Sequence, residues 1–539
     1  MGSTAARTTA TEQNTTARST APVIAPASDA PSIVIIGGGV AGLAAGIFGQ
    51  ANGFRTTIVE KHTILGGECT GWDRKGYHID GCIHWLVGTK EGTPMNDLWK
   101  RVGALDGVEI YHPDTFLTYE HEAGTVPIYR DLDRLRAAWT ALSPADAEAI
   151  DEFVATIRQM GAFEMEADKP MDLMSLTEKL RYMASMKDAA AVLKRYGKVG
   201  LAEYAERFSH PAIREMFATF APGDYAAAFL FFGLATFAEG QSSIPIGGSK
   251  GLADRMAERY RALGGTVETG CEIVDVAIEG KRVTHLVAAD GRTFAADHFI
   301  AACDARFVFE RLLGGEYRDR AFEKRFNDPE TYPLASNTYI GLGLEAEVGD
   351  MPRTVRFDCE PIALGSDAIT QITLNHYAYE PGFAPDGCTA MTVALNHFGE
   401  TIDHWFALKS DREAYRREKE RVGEAVRKAI EAHFPHFAGK LTVLDVATPA
   451  TYDRYCNAHR GAFMAFFLTT RSKMMAHTGR IRGLDNFVLS GQWLQPPGGL
   501  PIAVITGKDS IQRLCKKLKR PFVAPSPASD ALRVARHVA

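Results

Sequence analysis

Residues 33–60 constrain the fold of this chain more than any other stretch. Ile33-Val34-Ile35-Ile36 runs without a break into Gly37-Gly38-Gly39-Val40-Ala41-Gly42 and an alanine-rich segment through Gly46. A short apolar run of this kind suits a buried parallel strand, and G-x-G-x-x-G spacing at its end turns the chain into a helix. Gly37 permits the tight turn, Gly39 lets the backbone approach a pyrophosphate at the helix N-terminus, and Gly42 allows helix and strand to pack closely. Residues 56–59 form a second strand pattern ending in Glu60, 23 positions after Gly37, where the ribose-binding acid of a βαβ unit belongs. The pattern predicts a dinucleotide cradle in an α/β fold.

The segment after the acid narrows the nucleotide. Gly66-Gly67 and then Gly76-Tyr77-His78-Ile79-Asp80-Gly81-Cys82-Ile83-His84-Trp85 form a glycine-punctuated stretch that a nicotinamide dehydrogenase does not need here. The stretch resembles the flavoprotein superfamily of phytoene desaturases, carotenoid isomerases, retinol saturases and, more distantly, amine oxidases. Their pattern is a paired glycine after the acid and then G-Y-x-F-D-x-G; here Ile79 replaces the usual aromatic residue and Gly81 follows Asp80 directly. The resemblance implies FAD, with the Gly66-Gly67 loop under its phosphates and ribityl chain.

Two further blocks extend the resemblance. Residues 245–304 match a segment that rejoins the FAD domain in that family and brings the backbone at Ile273 to the adenine. Residues 484–501 read as a strand ending in Gly491-Gln492-Trp493, then Pro496-Pro497-Gly498-Gly499-Leu500-Pro501, before a helix over 502–518. Gln492 stands where the family has an acid or small polar residue, and it can still hydrogen-bond a ribityl chain or phosphate. A helix N-terminus there would favour negative charge at the flavin's pyrimidine end. The implied FAD contacts are Gly37, Gly39, Val40, Ala41, Gly42, Glu60, Lys61, Gly66, Gly67, Ile273, Gly491, Gln492, Gly499, Leu500 and Pro501.

The resemblance implies a Rossmann-like FAD-binding domain assembled from residues 31–90, 240–305 and 476–520, with a mixed α+β substrate domain inserted as 91–239 and 306–475. Residues 91–240 read as helical and methionine-rich, with an amphipathic helix over 144–159 and an apolar run over 225–238 that is too short to span a bilayer. That run reads as a buried helix beside the substrate, the alternative being a patch that dips into a membrane. Met160, Met165, Met171, Met174, Met183 and Met186 suit either an adaptable wall around an apolar ligand or core filler. In the second insert, strands are expected over 337–344, 368–374, 390–395 and 441–446, with a charged helix over 411–433.

Composition sets the remaining bounds. A net charge of −6 and a pI near 6.3 offer no basic field for nucleic acid. Eight cysteines without a C-x-x-C pair or metal spacing read as reduced thiols, with no metal site. Residues 1–30 carry too little apolar surface to fold and read as a disordered tail; residues 521–539 read as a C-terminal tail. The first thirty residues lack the apolar core of a secretory signal, so a cytoplasmic location is expected; Arg7 and Arg18 among many hydroxyls leave organellar targeting open. Lys508, Lys516, Lys517, Lys519 and Arg520 suggest weak peripheral membrane contact through residues 502–520, or simply a solvated helix end.

By resemblance, the expected activity is that of an oxidoreductase or redox-neutral isomerase acting on a carbon–carbon double bond of an apolar polyene, isoprenoid or acyl chain. No second G-x-G-x-x-G follows a strand, so an external electron donor or acceptor must meet the flavin directly. A flavin amine oxidase and a non-enzymatic prenyl-binding protein are the alternatives, the second opposed by the intact cradle. His84 and Trp85 are the catalytic candidates. The family path places them at the reacting face, and His84 is the side chain there able to exchange a proton near neutral pH. The alternative for His84 is a neutral histidine that only hydrogen-bonds backbone.

Overall fold

The computed structural model describes residues 23–24, 30–161, 163–165 and 167–527. Five parallel strands form its first sheet, in the order Thr266–Glu268, Arg55–Val59, Ser32–Ile36, His298–Ala301, Phe487–Leu489. The apolar run at 33–36 is explained by cover on both faces. Ile33 and Ile35 pack with Leu43, Leu252 and Val504 of the helices Val40–Ala51, Gly248–Ala262 and Leu500–Lys517. Val34 and Ile36 pack against Val276, Leu286 and Phe294 of the antiparallel strands Ile273–Glu279, Arg282–Ala288 and Thr293–Ala295. Three separated stretches of chain therefore meet in one sheet.

The second sheet has seven strands in the order Leu441–Ala447, Ser336–Leu344, Thr389–His397, Asp367–His376, Thr354–Leu364, Thr115–His121, Gly124–Tyr129. Every pairing is antiparallel except that between Thr354–Leu364 and Thr115–His121. Period-2 alternation decides its two faces. Ile340, Leu342, Val355 and Phe357 pack under Val422, Val426 and Ile430 of the helix Arg412–His433, leaving the opposite face to the interior of the molecule. The helices Leu132–Leu142, Ala147–Gly161 and Ala227–Ala238 complete a separate core around Trp139, Phe153 and Phe231.

Several expectations need correction. The segment read as helical contains the strands Ile110–Tyr111, Thr115–His121 and Gly124–Tyr129, because residues 115–129 alternate around the turn at Glu122-Ala123. The helix expected over 144–159 is instead a short 3₁₀ turn, Pro144–Asp146, followed by Ala147–Gly161. Within the first thirty residues, Val23–Ile24 pairs in parallel with Thr293 and Phe294, whereas 1–22 and 25–29 lie outside the described residues. Residues 521–527 are held rather than free: Phe522 stacks on Phe48 at 5.7 Å, and the Val523 N–H donates to Asn52 Oδ1 at 2.7 Å; 528–539 lie outside the described residues.

The membrane expectation for residues 502–520 meets a different obstacle. The helix Leu500–Lys517 is buried from Val504 to Gln512, and Lys508 points inward, donating to the Ala167 and Asp168 carbonyls and pairing with Asp509 at 3.1 Å. Lys508 is a structural cation rather than a surface charge. Among the described residues no helix is long and apolar enough to cross a membrane. All eight cysteines are free.

Candidate cofactor and substrate site

One cavity of about 990 Å³ runs from the glycine turn to the inner face of the seven-stranded sheet. Gly37 and Gly42 shape the turn itself. Gly37 has φ +97°, and a Cβ at Gly42 would lie 2.0 Å from the Gly37 carbonyl oxygen, so Gly42 packs beneath the turn and does not line the cavity. Gly39 differs, because a Cβ there would meet no protein atom closer than the Gly66 oxygen at 3.7 Å. The space it would occupy is cavity. That is a cradle kept open for a ligand rather than one required by the protein's own packing. Gly66 closes its other side, bridging to Gly39 and donating its N–H to the Gly38 carbonyl at 2.9 Å.

Glu60 ends the second strand at the cavity wall, and its carboxylate accepts the Gly38 N–H at 2.6 Å and the His62 N–H at 2.7 Å. Burial raises its pKa. Lys61 donates to Asn457 Oδ1 at 2.6 Å and pairs with Glu272 at 3.1 Å, fixing the loop beside Ile273. On the far side of the cradle, Gly491, Gln492, Gly499, Leu500 and Pro501 line the cavity. Gly499 precedes the helix Leu500–Lys517, and no side chain caps that helix's first amides. Gln492 has its amide committed: Oε1 accepts the Gly499 N–H at 3.0 Å and Nε2 donates to the Phe463 carbonyl at 3.4 Å. These bonds brace the turn.

His84 and Trp85 lie on the same cavity, at the passage from the cradle to the sheet. Trp85 is 43% exposed and rests on Phe116 at 4.9 Å. The His84 ring lies 6.2 Å from that of Tyr339, and its Nδ1 has no hydrogen-bond partner. Burial, with the Arg353 charge in support, pushes its pKa down to about 4. Burial thus favours the uncharged imidazole at neutral pH. Turnover should show no His84 ionisation between pH 6 and 8, since the charged form appears only as pH falls toward 4. His84→Gln should cost less than about tenfold in kcat, against the hundredfold or more lost with a true general acid. A hundredfold loss, or a change in the pH profile of kcat between 6 and 8, would restore the catalytic role.

Several further residues line the site or lie behind its wall, and the motif residue Asp80 is among the latter. Asp80, inside the family motif, is 1% exposed, and its carboxylate accepts the Ser249 N–H at 2.6 Å and hydroxyl at 2.5 Å. Glu68 and Asp304 line the cradle side, and burial pushes them up to about 8 and about 6. Asp304 closes the strand block 297–304 and could have been found from that position; Arg353 and Arg356, on the opposite half, carry no motif signal.

A parallel sheet with a glycine turn, a strand-end acid and an uncapped helix converging on one cavity defines a nucleotide-dependent oxidoreductase fold. The family model for flavin-containing amine oxidoreductases matches residues 40–515, and the chain belongs to that family. It is 23% identical over 519 residues to a lycopene-forming phytoene desaturase of Pseudescherichia vulneris, covering 90% of this chain and 99% of that protein. Similarity to the chloroplastic prolycopene isomerase of Arabidopsis thaliana is 22% over 504 residues, covering 88% and 81%. Among solved structures, an oxidoreductase from Methanosarcina mazei superposes with a TM-score of 0.57 at 17% identity, over 89% of this chain and all of that one. A putrescine oxidase bound to putrescine gives 0.55 at 13%, over 90% and 99%. These structures share the fold.

Proposed function

We propose that the protein is an FAD-dependent oxidoreductase or redox-neutral isomerase acting on a carbon–carbon double bond of an apolar polyene, isoprenoid or acyl chain. The observation that carries this reading is the continuity of the cavity: the glycine cradle opens past His84 into a chamber walled by Phe220, Phe229, Phe232 and Phe467. FAD fits the cradle through the Gly39–Gly66 backbone, Glu60 and the uncapped N-terminus of the helix Leu500–Lys517, and when bound it would supply hydride exchange at its ring. The chain's own residues position the ligand, exclude water with the aromatic wall, and keep His84 uncharged. The segments 31–90, 240–305 and 476–520 would then form the FAD domain, and the sheet of the two inserts the substrate domain. A cationic amine fits this chamber poorly, because no carboxylate lines it beyond the cradle.

The test is turnover. Protein carrying FAD, given phytoene or prolycopene in liposomes with a quinone acceptor, should shift the polyene absorption bands through desaturation or isomerisation. Oxidation of putrescine with no change in either polyene would favour the amine oxidase instead.

Substrates of this class reside in bilayers, and besides the terminal helix, where Lys516, Lys517, Lys519 and Arg520 are exposed, a second surface suits an anionic bilayer. The helix Leu176–Ser185 buries none of its residues; Leu176, Leu180 and Met183 form a stripe with 74%, 59% and 65% exposure, and Met171 adjoins it. Residues 169–198 hold seven basic and three acidic side chains in a chain of net charge −6, and Met165, six residues before Met171, lines the cavity. Apolar insertion beside basic groups is the geometry of an interfacial helix. The protein should float with anionic liposomes, and serines at Leu176, Leu180 and Met183 should abolish flotation while leaving the melting temperature unchanged. Equal flotation of the triple variant would exclude this surface as the site of membrane contact.

A further inference from the structure

The cavity is polarised along its length. Its carboxylates, Glu60, Glu68, Glu272 and Asp304, all lie on the cradle half, whereas the chamber beyond His84 carries Arg353 and Arg356 and no acid. Strand register explains why the chamber has one polar wall. Thr354 stands opposite Asn375, Arg356 opposite Thr373, and Asn337 opposite Asn396, so alternate residues of four strands present polar side chains to the cavity facing the aromatic wall. A plain hydrocarbon would cover these groups without replacing their water.

The two arginines make the mismatch specific. Arg353 is 6% exposed; Nη1 donates to Thr354 Oγ1 at 3.0 Å, the Tyr379 side chain is a neutral hydrogen-bonding neighbour of the guanidinium, and Nε and Nη2 have no partner. Around it stand Tyr111, Tyr377 and Tyr379, with His84 and His376 held uncharged by burial. Arg356 donates to Thr373 Oγ1 at 3.1 Å and to the Thr219 carbonyl at 3.4 Å; the nearby Asp358 is engaged by Tyr119 and Gln371. Neither guanidinium forms an ion pair among the described residues. A buried charge without a counter-charge is costly, and a ligand that brings one removes the cost.

We infer that the substrate is an apolar chain ending in a carboxylate, with the chain along the aromatic wall and the acid received by Arg353 and Arg356. The inference rests on the chamber being the substrate site and narrows the substrate class from polyenes in general to long-chain acids.

The experiment titrates FAD-loaded protein with oleate, methyl oleate and 1-octadecene, following the flavin absorbance. Charge-assisted hydrogen bonding should make oleate bind about tenfold or more tightly than its ester. Arg353→Gln and Arg356→Gln should each remove most of that preference while leaving affinity for the ester, FAD content and melting temperature as in the parent. If Arg353→Gln fails to fold, Arg356→Gln at the half-buried position decides together with Arg356→Lys, which should keep part of the preference. Equal binding of acid and ester by the parent protein, no binding of oleate, or full preference in the Gln variants would each overturn the inference. Polyene turnover is scored separately, so a chamber indifferent to charge would leave the double-bond chemistry standing.

Discussion

Gly39→Val should fold normally and purify nearly colourless. The two halves of that expectation have separate causes. Gly39 has φ −71° and ψ −179°, ordinary extended backbone that valine adopts readily, and no protein atom stands within 3.7 Å of the new Cβ. The branched methyls enter the cradle, where a phosphate would approach the backbone. Overpacking of this kind costs about 3 kcal/mol at the upper end of its range, or roughly a hundredfold in affinity. The ratio of flavin to protein absorbance and a melting curve measure both halves. Gly42→Ala provides the contrast: its Cβ meets the Gly37 carbonyl, so it should lose stability first and flavin only as a result. Full flavin content in Gly39→Val would disprove the cradle assignment.

Asp80→Ala should have the larger effect on the fold. The carboxylate sits at the N-terminus of the helix Gly248–Ala262, where the helix dipole favours an anion, and Gly248 has no side chain because a Cβ would lie 2.0 Å from Asp80 Oδ2. Besides Ser249, it takes the Cys82 and Ile83 N–H groups at 3.3 Å each, and its backbone carbonyl accepts the Tyr339 hydroxyl at 2.7 Å. Burial raises its pKa, while these donors favour the ionised form. Truncation strands several buried donors together, for which a loss of about 3 kcal/mol or more is expected. Cys82, Ile83 and His84 should also lose their fixed position on the cavity wall, so flavin retention should fall with stability. Urea denaturation of the Ala and Asn variants checks this; a loss below about 1 kcal/mol for Ala would mean that solvent or a neighbour replaces the carboxylate.

The parts legible in the sequence are those whose chemistry is local. Gly37, Gly39 and Glu60 announce themselves because a tight turn and a strand-end acid need those residue types at that spacing, and the parallel sheet follows from apolar runs covered on both faces. Residues 115–129 read as helical because the helical character of their surroundings outweighs their alternation around Glu122-Ala123. Gln492 has partners, Gly499 and Phe463, that only the fold brings to it. Lys508 looks like surface for the same reason, since the carbonyls that bury it belong to residues 167 and 168. His84 can be located on the cavity from its motif, yet its charge state depends on burial by distant parts of the chain, with Arg353, 269 positions away, in support. Long-range neighbours decide protonation and exposure, and no window of sequence contains them.

The order of strands in the parallel sheet has a consequence for biosynthesis. Ile33 pairs with His298, Phe299 pairs with Phe487, and a Cβ at Gly507 would strike the Ala41 carbonyl oxygen at 2.4 Å, so the first helix and the last are in close contact. Contacts of such sequence separation form slowly, after a large loop-closure cost. While the chain is being made, the strand at 32–36 has only the strand at 55–59 beside it, and its other edge waits for some 240 residues to emerge. The helix at 40–51 keeps an apolar face uncovered for longer still, until residues 500–517 leave the ribosome. A nascent chain of this topology presents an unpaired strand edge beside an unfinished nucleotide cradle for close to half of its synthesis, which exposes it to mispairing, and flavin uptake should come only after residues 491–501 complete the cradle.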